Sequence, residues 1–173
     1  MNGLCGTMNH AVCHYGKENK INSMGTTAAM LAFGKENVYS CNLGDSRIYQ
    51  ISSEGKLGQL SLDHVLGGGR FGKPPLTQYL GIPEESMGLE PTIVPQKAEI
   101  GTRYLICSDG ITDMLSDGEI ADILTREISV SETVELLVER ALIKGGRDNI
   151  TVILCELVEQ EKSLFGKLLN YFL

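Results

Sequence analysis

The sequence has no tryptophan, no apolar run approaching the roughly 20 residues that a membrane-spanning helix needs, and no basic start followed by an apolar stretch resembling a signal peptide. These absences exclude the simplest membrane and secretory classes, and a cytoplasmic protein with no membrane partner is expected. Positive charge is also scarce: 15 Lys and Arg stand against 22 Asp and Glu, for a net charge of −7. That balance argues against non-specific nucleic-acid binding and suits a cation-binding site better. The five cysteines, Cys5, Cys13, Cys41, Cys107 and Cys155, are odd in number and contain no C-x-x-C pair. Neither a disulfide framework nor a zinc knuckle is indicated, and buried free thiols are expected. What is present, 42% apolar and 21% charged residues over 173 positions, is ordinary for one globular domain.

The chain divides by hydrophobic period. Met8, Ala11, Val12 and Tyr15 recur at helical spacing and stop at Gly16, predicting a short amphipathic helix. From Gly25 the pattern changes to strands: Ala28 to Phe33, a turn at Gly34-Lys35-Glu36-Asn37, then Val38 to Leu43. Arg47 to Ser52, Glu54-Gly55 and Leu57 to Leu62 repeat the hairpin pattern. Residues 63–78, crowded with Gly67-Gly68-Gly69, Gly72 and Pro74-Pro75, read as a mobile loop closed by a turn at Thr77 to Leu80. A polar segment precedes the compact strand Arg103 to Cys107. Ser116 with Glu119, and Ser129 with Glu132, are capping boxes opening two helices, the second ending at Gly145-Gly146. Ile150 to Val158 is the last strand. Strands first, helices later and hairpin connections indicate an α+β domain on antiparallel sheet. It is expected over residues 1–158. Residues 159–173 are expected to form an amphipathic helical tail with Leu164, Phe165, Leu168, Leu169 and Phe172 on one face, packing on this or another protein.

Aspartates at strand ends carry the chemistry. Asp109 follows the strand 103–107 and Asp148 precedes the strand 150–158, so antiparallel pairing would bring both to one edge. Two carboxylates held a few ångströms apart repel, and a divalent metal is the usual remedy. Asp113, four residues after Asp109, and Asp45, in the turn Gly44-Asp45-Ser46-Arg47, are two further candidates. Turn chemistry alone also selects Asp-Gly and Asp-Asn.

Six collinear segments now resemble one family. They are Gly25-Thr26-Thr27, Asn42-Leu43-Gly44-Asp45-Ser46-Arg47, Asp63-His64, Leu76-Thr77-Gln78-Tyr79-Leu80-Gly81, Leu105-Ile106-Cys107-Ser108-Asp109-Gly110-Ile111-Thr112-Asp113 and Gly146-Arg147-Asp148-Asn149-Ile150-Thr151-Val152. In order and spacing they are similar to motifs of the metal-dependent type 2C serine/threonine protein phosphatases. The resemblance implies an αββα sandwich of two antiparallel sheets flanked by helices. It also implies Mn²⁺ or Mg²⁺ as cofactor, a phosphoprotein as substrate, and hydrolysis by a metal-activated water without a phosphoenzyme. By the same resemblance Asp109 and Asp148 ligate one metal, while Asp45 and Asp113 are associated with a third, weaker one.

The family's amino-terminal motifs have no counterpart among these residues: the phosphate-gripping Arg, an acidic Glu-Asp motif, and the Asp-Gly-x-Gly-Gly whose Asp bridges two metals. Weak or absent activity of the isolated chain is therefore expected, with the sandwich incomplete on its amino-terminal side. A homo-oligomer, or a partner covering the exposed sheet, is expected to compensate. The alternative function is a non-catalytic remnant acting as a binding or scaffolding module.

Two decoys are set aside. Gly67 to Lys73 has the glycine and lysine spacing of a nucleotide-binding P-loop but continues into Pro74, where a Ser or Thr must hold magnesium. His10, Cys13 and His14 imitate a zinc site on one helix face but supply only three ligands.

Overall fold

Period-two alternation along the central strands is what stacks this chain into layers. The computed structural model describes residues 1–67, 73–83, 85, 86 and 88–159. Its elements, among these residues, are α1 (Asn2–Glu18), β1 (Ala28–Phe33), β2 (Asn37–Leu43), β3 (Arg47–Ile51), β4 (Leu57–Gln59), β5 (Thr92–Lys97), β6 (Arg103–Cys107), α2 (Asp109–Thr112), α3 (Asp117–Leu124), α4 (Val130–Ile143) and β7 (Val152–Glu156). They form two antiparallel sheets, one ordered β1-β2-β5 and the other β4-β3-β6-β7.

Three apolar clusters separate the layers. Cys41 and Leu43 of β2 face Cys5, Met8 and Val12 of α1. Val38, on the opposite face of β2, meets Ile48 of β3 and Tyr104 of β6 between the sheets. The alternate residues of those strands, Tyr49, Ile51, Leu105 and Cys107, turn away and pack on Ile111, Ile120, Ile123, Leu124, Leu137 and Ala141 of α2, α3 and α4. Helix, sheet, sheet, helix is the αββα order. Burial drives the Cys107 thiol up to about 12, so it stays a neutral core residue.

Local chemistry explains the element ends. Ser116 and Ser129 each accept the backbone N–H of the third helical residue, while Glu119 and Glu132 reach back to the serine backbone, completing both capping boxes. Between β3 and β4, Gly55 takes φ +80° in a turn closed by its N–H donating to the Ser52 carbonyl at 2.9 Å.

Several sequence boundaries shift. α1 begins at Asn2 rather than near Met8. Its early turns include Gly3 and Gly6, which hide the apolar stripe, although Cys5 is fully buried. The polar segment before β6 contains β5, where Pro95 stands opposite Tyr39; β5 is an edge strand, the position at which a sheet tolerates proline. The two ends of the 63–78 loop are pinned: Val65 bridges Leu76, Leu66 N–H donates to the Pro75 carbonyl at 3.0 Å, and Thr77 N–H to the His64 carbonyl at 2.8 Å. Residues 160–173, which hold the expected tail, lie outside the described residues. Among the described residues no helix is long and apolar enough to cross a membrane.

Candidate metal centre

The four-stranded sheet gathers three strand ends at one edge. β3 pairs with β6 so that Arg47 faces Cys107, and β6 pairs with β7 so that Cys107 faces Val152. The turn carrying Asp45, the residues after β6 and the residues before β7 therefore emerge together.

Ser108 ties two of these segments. Its N–H donates to the Thr151 carbonyl at 3.0 Å, its hydroxyl donates to the Asn149 carbonyl at 3.0 Å, and the same oxygen accepts the Thr151 N–H at 2.9 Å. Gly110 completes the contact, because a Cβ there would collide with the Asn149 carbonyl oxygen. With the Asp109 and Asp148 segments drawn together in this way, α2 adds Asp113, whose N–H donates to the Asp109 carbonyl at 2.7 Å. Asp148 shapes its own turn by accepting the Asn149 N–H on Oδ1 at 2.8 Å.

Three of the four aspartates read from the sequence converge on one point, and that point is taken by the ammonium of Lys73. Lys73 Nζ donates to Asp109 Oδ2, donates to Asp148 Oδ2 at 2.6 Å, and lies 3.4 Å from Asp113 Oδ2. The pairing lowers the Asp148 carboxyl below its usual range and raises the Lys73 ammonium above its own, chiefly through hydrogen bonding to Asp109. Asp45 does not contact Lys73 directly. It senses the same group: burial first and the Asp109 charge second raise its pKa, while Lys73 pulls the other way. In this arrangement no three His, Cys, Asp or Glu side chains among the described residues share a position for a metal ion.

The Asp45 turn is held from behind. Gly44 adopts φ +101°, where a side chain would be strained and would strike Thr27. Thr27 Oγ1 and Ser46 Oγ share a hydrogen bond of 2.9 Å. His64 Nδ1 accepts the Gly44 N–H at 3.2 Å, which places its proton on Nε2, 2.9 Å from Thr92 Oγ1. Arg47 grips Asp63 through Nε at 3.0 Å and an NH2 group at 2.7 Å, and donates to Tyr49 Oη at 2.9 Å. Tyr49 in turn donates to Asp117 at 2.8 Å.

Asp63, His64 and Ser108 stand inside the family-like motifs, but their supporting roles depend on contacts that the sequence alone does not mark. Lys73 lies in the P-loop-like segment, where no local signal marks it, since its position depends on the chain returning through the Val65–Leu76 bridge. His10, Cys13 and His14 gather no metal-binding group among the described residues; Cys13 donates instead to the Ile82 carbonyl at 3.4 Å, and His14 lies 3.3 Å from Glu18.

Comparison with known proteins now decides the family. The protein phosphatase 2C family model matches residues 4–144. The chain belongs to the protein phosphatase 2C family. The serine/threonine phosphatase stp of Listeria welshimeri is 35% identical over 150 residues, covering 80% of this chain and 59% of that protein. The solved S. agalactiae serine/threonine phosphatase superposes with a TM-score of 0.77 at 29% identity, covering 90% of this chain and 68% of that one. The catalytic domain of the phosphatase PstP, solved in complex with two manganese ions, gives a TM-score of 0.75 at 32% identity, covering 87% and 67%. The chain thus spans about three fifths of the length of the stp relative.

Proposed function

We propose that this chain carries part of the metal centre of a serine/threonine protein phosphatase, with phosphoserine or phosphothreonine in a protein as its substrate. The observation that carries this reading is the convergence of Asp109, Asp113 and Asp148 oxygens on a single positive charge at the sheet edge. Carboxylate oxygens are the hard donors that Mn²⁺ and Mg²⁺ take, so their gathering around one cation supports this reading. Asp109 and Asp148 are the principal ligands in this reading, with Asp113 and Asp45 beside them. A divalent ion held there would make a nucleophile available from water near neutral pH and would supply charge to neutralise the phosphoryl oxygens.

The chain's own residues do the positioning. Ser108 and Gly110 set the spacing between the Asp109 and Asp148 segments, and His64 with Thr27 holds the Asp45 turn. No Asp-Gly-x-Gly-Gly sequence stands among the 173 residues. Turnover by this chain alone is accordingly expected to be low, and the same observation favours a second reading as a binding or scaffolding module without turnover.

Calorimetric titration with Mn²⁺, beside an Asp109→Asn plus Asp148→Asn variant, followed by phosphopeptide hydrolysis at saturating Mn²⁺, tests both. Binding with turnover, both lost in the variant, supports the phosphatase reading. Binding without turnover favours the module, and absence of binding removes the metal centre from this chain.

A further inference from the structure

We propose that Lys73 is a built-in counter-ion that competes with the divalent cation for Asp109, Asp113 and Asp148, so that metal enters only as this side chain leaves. The inference rests on the reading of those carboxylates as metal ligands.

The geometry makes the two occupants mutually exclusive. Lys73 Nζ donates to Asp109 Oδ2, donates to Asp148 Oδ2 at 2.6 Å and stands 3.4 Å from Asp113 Oδ2. Mg²⁺ sits about 2.0–2.1 Å from its oxygen ligands, so an ion held by Asp109 and Asp148 would need the space the ammonium fills. A lysine suits this role because its charge is compact and its three donors can meet three separate acceptors, which the planar fork of an arginine cannot do. The charges point the same way. The turn carrying Asp45 emerges at the same sheet edge, so the edge carries four carboxylates, and among the described residues Lys73 is a cation that meets three of them. Without a counter-ion, these like charges repel; with Lys73 in place the metal-free edge is tolerable. Lys73 remains half exposed, so its side chain has solvent to move into.

Competition has a signature that a purely structural contact lacks: removing the lysine strengthens metal binding while weakening the metal-free fold. Mn²⁺ titration of the full chain is compared for the unmodified protein, Lys73→Gln and Lys73→Arg, alongside thermal unfolding without metal. Lys73→Gln is expected to bind Mn²⁺ at least fivefold more tightly and to melt lower without metal, whereas Lys73→Arg, which keeps the charge but not the three-way contact, gains less. Equal or weaker binding by Lys73→Gln overturns the competition and leaves the metal reading standing. No binding by either protein overturns both. A second readout follows the lysine itself: amine acylation mapped by peptide mass spectrometry is expected to modify Lys73 at least threefold faster at saturating Mn²⁺, because the freed amine is no longer held by carboxylates. An unchanged or slower rate overturns the proposal.

Discussion

His64 and Gly44 bond to each other twice: the His64 ring accepts the Gly44 N–H on Nδ1 at 3.2 Å, and the His64 N–H donates to the Gly44 carbonyl at 3.1 Å. The first of these bonds requires a neutral ring, and burial depresses the His64 pKa, with nearby Asp63 opposing only in part. A folded pKa below the unfolded value of 6.5 means that the unfolded chain takes up the proton first as pH falls. The stability that His64 contributes is therefore present above about pH 6.5 and declines as pH drops towards the folded pKa. Urea unfolding at pH 7.5 and pH 5.5 is expected to show a larger loss for the unmodified chain than for His64→Asn, whose amide oxygen can accept from Gly44 without titrating. Equal losses in the two proteins contradict this assignment.

Arg47 supports the same turn by a different route. Its guanidinium meets Asp63 with two nitrogens and Tyr49 with a third, and Asp63 also accepts from Gln59 at 3.0 Å. Lysine keeps the charge but loses the fork, so Arg47→Lys is expected to cost about 1–3 kcal/mol in denaturant unfolding. Tyr49→Phe, which removes only one member of the chain, is expected to cost less.

Much of this arrangement was legible before the structure. The two capping boxes, the β1–β2 and β3–β4 hairpins and the placing of Asp109 and Asp148 on adjoining strand ends follow from spacing, because each depends on residues near in sequence or on one antiparallel pairing. β5 was not legible, since Pro95 is acceptable there only because the strand lies at an edge, a fact of tertiary order. Lys73 was not legible for a related reason. A lysine in a glycine- and proline-rich loop carries no period, and its three carboxylate partners lie 36 to 75 residues away.

Tyr104 has an orphan hydroxyl. The side chain is fully buried between the sheets, and its oxygen has no hydrogen-bond partner among the described residues. Its ring meets Phe33 edge-on, with centroids 5.9 Å apart, a contact that phenylalanine at this position retains. Removing the unsatisfied oxygen is expected to make Tyr104→Phe at least as stable as the unmodified chain, by up to about 1–2 kcal/mol. Denaturant midpoints measure this, and a clear destabilisation would reveal a partner for the hydroxyl.

Glu119 offers a local test of charge at a helix start. Lys144 Nζ lies 2.6 Å from one of its oxygens, and the Ser116 backbone and hydroxyl donate to the other, which together lower its pKa to about 2. A depressed carboxylate contributes stability above its unfolded pKa of 4.5 and loses it as pH falls towards 2. Lys144→Ala is expected to move the Glu119 midpoint upward towards 4.5 in an NMR titration while leaving the capping box in place. An unmoved midpoint would assign the depression to Ser116 alone.

Gly110 links backbone packing to the proposed metal centre. Its α-carbon lies against the Asn149 carbonyl, so even one methyl group must push the Asp148 turn away from Asp109. Ser108 resists that movement through its bonds to Asn149 and Thr151, and the strain is shared between the two segments rather than relieved at a side-chain tip. Gly110→Ala is expected to lose about 1–3 kcal/mol of stability. It should also weaken Mn²⁺ binding, because the oxygens of Asp109 and Asp148 separate. Ser108→Ala removes the tether without the collision, so it isolates spacing from strain. A Gly110→Ala chain that loses stability yet binds Mn²⁺ with unchanged affinity would show that the two carboxylates do not act on one ion.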